Sequence, residues 1–210
     1  MQLRSDSFRS MQPIPQAFAL CQPDGSDKPC LFAANRNPHL AWDEVPERTQ
    51  SFVLACVDGD APERMDDANR SDRRLPASLA RRDFVHWIMV DIPPDCRTIA
   101  EGSCSDGVIA HGKRAPAGPP GAKQGLNDYT RSFAADPAMA GDYFGYDGPC
   151  PPWNDERLHR YHFRLYALDV ATLALGERFA HAEAMAALRT HLLAEAALTG
   201  TYTLNPALRR

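Results

Sequence analysis

Residues 51–62 read Ser51-Phe-Val-Leu-Ala-Cys-Val-Asp-Gly-Asp-Ala-Pro62, and this stretch decides the fold. Ser51 to Val57 is a continuous apolar run of strand length, as in a strand covered on both faces. It stops abruptly in Asp58-Gly59-Asp60-Ala61-Pro62, a turn-forming block. A second strong strand, Phe84 to Ile92, carries His86 in an apolar setting and is closed by Pro93-Pro94. Leu158 to Val170 alternates, so Tyr161, Phe163, Leu165 and Ala167 share one face and His162 lies on the other. Asn37 to Trp42 reads as a turn leading into a short strand. Only the tail reads as helix: Ala182 to Ala197 is rich in good helix formers. Its stripe of Met185, Leu188, Leu192 and Ala196 has helical spacing, Gly200 is placed as the stop, and Thr201–Leu204 follows as a final strand. Strands spread along the chain without β–α alternation predict a mainly β protein with a C-terminal helix (α+β), an antiparallel β-sandwich.

Working outward, no linker divides residues 1–210, so one domain is expected, with residues 1–50 its N-terminal part and 63–82 a charged loop insert. The 18 prolines predict many loops, since proline supplies no backbone donor and breaks helix interiors. Residues 112–150 are rich in glycine and proline and read as a long loop, functional or disordered. Residues 63–82 form a charged insert, ten of the twenty being Asp, Glu or Arg, which reads as a solvated loop. A second reading puts Arg73, Arg74, Arg81 and Arg82 beside a ligand. The net charge of −4 argues against nucleic acid as a partner. The first residues carry Arg4, Asp6 and Arg9 with no apolar run, and no stretch is long and apolar enough to insert into a membrane. A cytoplasmic location is therefore expected, with reduced thiols. The six cysteines form no C-x-x-C pair; a Cys21–Cys30 bridge closing a loop around Pro23, Asp24 and Gly25 is the alternative.

Three polar blocks fall where strands end: Asp58 to Pro62, His86-Trp87, and Gly148-Pro149-Cys150-Pro151-Pro152 followed by His159-Arg160-Tyr161. Each has a plain structural reading: a side-chain-capped turn, a satisfied core histidine, a rigid connector. Together they resemble the phosphatidylethanolamine-binding protein family, its bacterial Raf kinase inhibitor-like branch. Asp58 to Pro62 is similar to that family's D-P-D-x-P motif, and the Gly148 block with His159-Arg160-Tyr161 to its G-P…H-R-Y motif. Gln124 to Asp128 and Tyr146-Asp147-Gly148 fit the same branch. The resemblance covers about residues 50–205. Gly59 replaces a motif proline, Asp91 stands where Asn is usual, and the segments 63–82 and 131–144 are longer.

The resemblance implies a two-sheet β fold with a small anion pocket at one end. The candidate ligand-binding residues are Asp58, Asp60, Pro62, His86, Gly148, Pro149, His159 and Tyr161. In this reading the histidines, the tyrosine hydroxyl and the Gly148 amide donate to the anion, and Asp58 orients and charges a histidine. The expected function is non-catalytic binding of phosphate or a phosphorylated head group, without a cofactor, possible partners being a protein or a second copy of the chain. Two alternatives remain: a Cys150–His159 nucleophilic pair, as in a hydrolase, and a metal site of Asp58, Asp60, His86 and His159.

Overall fold

The computed structural model describes residues 1–25 and 30–209. Its strands are β1 (Gln2–Arg4), β2 (Cys21–Gln22), β3 (Leu31–Phe32), β4 (Leu40–Asp43), β5 (Ser51–Pro62), β6 (Arg81–Ile92), β7 (Thr98–Ile99), β8 (Lys123–Gln124), β9 (His159–Leu168) and β10 (Leu192–Tyr202). Two helices, α1 (Tyr129–Ser132) and α2 (His181–Leu188), complete it. The main sheet has five strands in the order β10-β9-β5-β6-β8, and its ladders are antiparallel. A three-stranded sheet, β1-β4-β7, and the β2–β3 ribbon stand beside it. The fold is mainly β, as expected.

β5 is central, and both its faces are covered, which is why its sequence is continuously apolar. Phe52, Leu54 and Cys56 join Trp42, Trp87, Tyr146 and Phe163 in the larger core cluster. Val53 and Ala55 join Ile88, Val90, Tyr166, Phe179, Ala184 and Leu188 in a second cluster, which α2 covers. β5 does not stop at Val57. It continues to Pro62 through a bulge, its pairing with β6 slipping between Asp58 and Ala61. Gly59 and Asp60 supply the extra residues, and Asp58 Oδ1 accepts the Asp60 amide at 2.8 Å to close the turn. Asp91, at φ 57°, adopts the left-handed conformation in a similar slip near the far end of β6. Asn favours that conformation, which accounts for the residue usual in this position.

The tail departs from expectation. The helix ends at Leu188, and Leu192–Tyr202 pairs with β9 from Leu192↔Leu168 to Tyr202↔His159. Ala196, Leu198 and Gly200 alternate inward, so period two prevails over the helix propensity of alanine. Gly200 is no helix stop. A Cβ there would lie 2.4 Å from Ile14 Cγ1 and 2.9 Å from Phe8 Cε2, so glycine lets the N-terminal segment pack on the strand.

The cysteine expectation also fails. Cys21 bonds to Cys150, 129 residues away, rather than to Cys30 or remaining a thiol. The loop that a Cys21–Cys30 bridge would have closed lies partly outside the described residues. Tertiary geometry decides the pairing: the Leu20 and Cys21 amides donate to the Pro149 carbonyl at 3.0 and 3.1 Å, which lays Cys21 beside Cys150. The charged insert is exposed along most of its length but is not free. Asn154 accepts the Asn69 amide at 2.8 Å and donates to the carbonyls of Asp67, Arg70 and Arg73.

Candidate functional site

The end of β5 lies against the starts of β6 and β9 because the three strands run antiparallel. Asp58 is therefore opposite both Phe84 and Tyr161. A cavity of about 70 Å³ opens there, lined by Asp58, Ala61, Pro62, Met65, Arg82, Phe84, His86, Tyr129, Ser132, Cys150, Pro151, Pro152, His159 and Tyr161. Five expected residues meet in it: Asp58, Pro62, His86, His159 and Tyr161. Asp60, Gly148 and Pro149 lie outside its lining. Asp60 is held by Arg157 at 2.7 Å and Arg160 at 2.8 Å. Burial would raise its carboxyl, but the two guanidiniums win and hold it at about 2. The Gly148 amide donates to Asn35 Oδ1 at 2.8 Å and its carbonyl accepts the Tyr129 hydroxyl at 2.7 Å. A Cβ on Gly148 would come within 2.1 Å of the Phe18 carbonyl oxygen, so this glycine serves chain packing.

His159 is almost wholly enclosed and has a carboxylate on each ring nitrogen. Asp58 Oδ2 lies 2.7 Å from Nδ1 and Asp155 Oδ2 lies 3.1 Å from Nε2. Burial alone would lower the His159 pKa; the hydrogen bonds and charges of Asp155 and Asp58 outweigh it and raise the pKa to about 9. The imidazolium therefore donates to both carboxylates. Arg81 completes the row with a two-pronged contact to Asp155, at 2.6 and 3.0 Å. Both His159 nitrogens are spent on the protein, so its expected role as a donor to the ligand is replaced by one in building the wall. Of the two histidines that Asp58 was expected to orient, His159 is the one it hydrogen-bonds, and it shares that ring with Asp155.

His86 is the opposite case. Its Nδ1 lies 2.8 Å from the Asp147 carbonyl oxygen, which can only accept, so Nδ1 carries the proton. Burial depresses its pKa despite nearby Asp58, so the ring is neutral and Nε2 keeps its lone pair. Phe84, Tyr129 and Tyr161 enclose the ring, with centroids 4.9, 5.5 and 5.1 Å away. Asp147 is itself fixed by Lys113 at 2.6 Å, Asn35 at 2.7 Å and Asn127 at 2.8 Å. Burial and the Asp58 charge keep the Tyr161 phenol well above its usual range, hence protonated.

Two lining groups lack protein partners among the described residues. Arg82 Nε is buried without a hydrogen-bond acceptor. The Tyr161 hydroxyl makes no hydrogen bond to a described residue, in a side chain that is 1% exposed. Arg82 belongs to the basic cluster of the insert, but its place in the lining needed the β5–β6 register. Asp155 and Asn35 carried no sequence signal, because a polar residue in a loop is unremarkable until its partner is known.

The two alternative chemistries fare differently from the cavity. Cys150 is disulfide-bonded and His159 faces two carboxylates, so the Cys150–His159 pair is not formed. Asp60 is turned to arginines and His86 Nδ1 to a carbonyl, so Asp58, Asp60, His86 and His159 do not converge as metal ligands.

Comparison with known proteins agrees with this architecture. The sequence profile of the family described as phosphatidylethanolamine-binding protein matches residues 4–203. A UPF0098 protein of Aquifex aeolicus is 30% identical over 202 residues, covering 96% of this chain and 88% of the relative. The UPF0098 protein YbhB of Escherichia coli is 31% identical, covering 80% of this chain and 82% of YbhB. The crystal structure of CT736 from Chlamydia trachomatis, described as a phosphatidylethanolamine-binding protein homologue, superposes with a TM-score of 0.64 at 28% identity. That match covers 96% of this chain and 95% of CT736. Escherichia coli YbcL, at 24% identity, shares the fold with a TM-score of 0.68, over 96% of this chain and 97% of YbcL. With an antiparallel sheet whose strand ends carry the two motifs, and a profile match running almost end to end, this chain belongs to the phosphatidylethanolamine-binding protein family.

Proposed function

We propose that the cavity binds a phosphate-bearing small ligand or the phosphorylated head group of a lipid, without catalysis. The observation that carries this reading is Arg82, a cationic side chain that lines the cavity and whose buried Nε has no acceptor among the described residues. An unpaired buried donor is costly, and an incoming oxyanion removes that cost. Tyr161 supplies a second donor, and His86 Nε2 supplies an acceptor. Two donors and one acceptor suit a phosphate group that keeps one P–OH. Asp58 does not oppose the anion as a free charge would, since Oδ1 holds the Asp60 amide and Oδ2 holds His159.

Size supports the same class. A cavity of about 70 Å³ holds a group of a few heavy atoms, far less than the roughly 300 Å³ at which drug-sized pockets begin. An acyl chain has no room, so a lipid would present only its head group. A reducing cytoplasm would open the Cys21–Cys150 bond, so the compartment determines which state of the Cys150 wall the ligand meets. Calorimetric titration with inorganic phosphate and with phosphoethanolamine tests the reading. Saturable one-site binding is expected, and Arg82→Gln is expected to weaken it by about ten- to a hundredfold, the loss of a charge-assisted hydrogen bond. Equal binding by Arg82→Gln would remove the argument.

A further inference from the structure

Behind the Cys150 wall of the cavity lies a cluster of cysteines. The Sγ atoms of Cys21, Cys30 and Cys150 all lie within 4.8 Å of one another. Cys21 and Cys150 form the disulfide, and the Cys30 thiol stands 3.7 Å from Cys150 Sγ. We propose that reduction of the Cys21–Cys150 bond turns these three side chains into a trithiolate site for one soft metal ion of the zinc group.

The geometry fits such an ion closely. Tetrahedral zinc with metal–sulfur bonds of about 2.3 Å holds its sulfurs about 3.8 Å apart. The Cys30–Cys150 separation already matches that spacing. The Cα atoms of Cys21 and Cys150 are 4.8 Å apart, so rotation about their side-chain bonds can part these two sulfurs without moving strands, while Cys21 Sγ already lies within 4.8 Å of Cys30 Sγ. The backbone is fixed independently of the disulfide. β2 pairs with β3 through Cys21↔Phe32, and the Cys21 amide holds the Pro149 carbonyl. Cys30 is exposed, which gives an ion a path in from solvent. The Asp24 carboxylate acts electrostatically on Cys30, adding negative potential where a cation would sit. Three soft thiolates select zinc-group or cuprous ions over magnesium or calcium.

The steps balance. A dithiol reductant breaks the Sγ–Sγ bond, delivers two electrons and two protons to Cys21 and Cys150, and becomes a cyclic disulfide. The ion then displaces three thiol protons to solvent and keeps its fourth position for water. Cys56 and Cys104 are buried and Cys96 is half-buried, and none of them joins this cluster among the described residues.

The test is titration of the full chain with Cd²⁺ after reduction and anaerobic removal of reductant, in competition with a chelator. Thiolate-to-metal absorption counts the sulfurs. One equivalent is expected to bind the reduced protein with three-thiolate intensity, and none the oxidised protein. Cys30→Ser leaves the disulfide pair intact; it is expected to lose one third of the absorption and at least tenfold in affinity. Cys30→Ala, carrying no hydroxyl, provides a second variant with the same expectation. Failure of the reduced protein to bind, or unchanged affinity and absorption in both variants, would overturn the proposal. Phosphate binding by the oxidised protein is read separately and is unaffected by either result.

Discussion

Raising the pH from about 6 to about 9 is expected to weaken the fold by roughly 3 kcal/mol through His159 alone. Its pKa in the folded chain stands at about 9. In the unfolded chain an ordinary histidine titrates near ~6.5. A difference of about 2.5 units at ~1.36 kcal/mol each gives roughly 3 kcal/mol. Because the folded pKa is the higher one, the folded state binds the extra proton. The stabilisation is fully present below ~6.5 and is lost as pH rises through about 9. Burial of His159 between Asp58 and Asp155 leaves little solvent to screen the effect, so a substantial part of it should survive in measurement. Urea unfolding at a series of pH values reads the loss directly, provided the slope m stays constant. Asp155→Asn removes one of the two carboxylates and is expected to flatten the profile, besides lowering stability by taking from Arg81 its one salt-bridge carboxylate among the described residues. Stability that stays level or rises between pH 6 and pH 9, or an Asp155→Asn profile parallel to the wild type, would refute the assignment of a charged His159.

Three further outcomes follow from particular contacts. Tyr161→Phe keeps the ring packing on His86 but removes the unpaired hydroxyl; it is expected to weaken phosphate binding by about threefold to tenfold in the same calorimetric titration, with little change in thermal midpoint. Reduction of Cys21–Cys150 releases a cross-link spanning 129 residues, worth about 5 kcal/mol by loop entropy, and is expected to lower the midpoint by roughly 10 °C in calorimetry without added metal. Gly200→Ala would push a methyl group into Ile14 and is expected to cost about 1–3 kcal/mol in urea unfolding.

How much of this was legible from sequence depends on whether the signal was local. The β5 run and the alternation of β9 state their own burial, because a strand's faces are written at period two. The strand-end motifs picked out Asp58, His86, His159 and Tyr161 for the same reason: they fall on β5, β6 and β9, whose apolar patterns are local. β10 was misread because Leu192 to Ala197 satisfies a helix stripe as well as a strand face, and only the open edge of β9 chooses between them. Its partner strand is far away in sequence. The Cys21–Cys150 bond depends on segments 129 residues apart folding together, which spacing does not encode; the Asp155–His159 contact is local, four residues apart, but runs from a loop into the start of β9 and follows no strand or helix period. Gly148 was assigned to the ligand from its motif, whereas its amide is committed to Asn35, a residue in a segment whose sequence carried little pattern. Of the 18 prolines, Pro62, Pro151 and Pro152 form part of the cavity wall.

The most direct test of the account is a phosphate titration of the oxidised protein followed by NMR of the histidine side chains. His86 Nε2 has no hydrogen-bond partner among the described residues, whereas both nitrogens of His159 are held by carboxylates. The account predicts a saturable shift of the His86 resonances with the His159 nitrogens almost unmoved. A shift centred on His159, or none at His86 up to saturating phosphate, would contradict it.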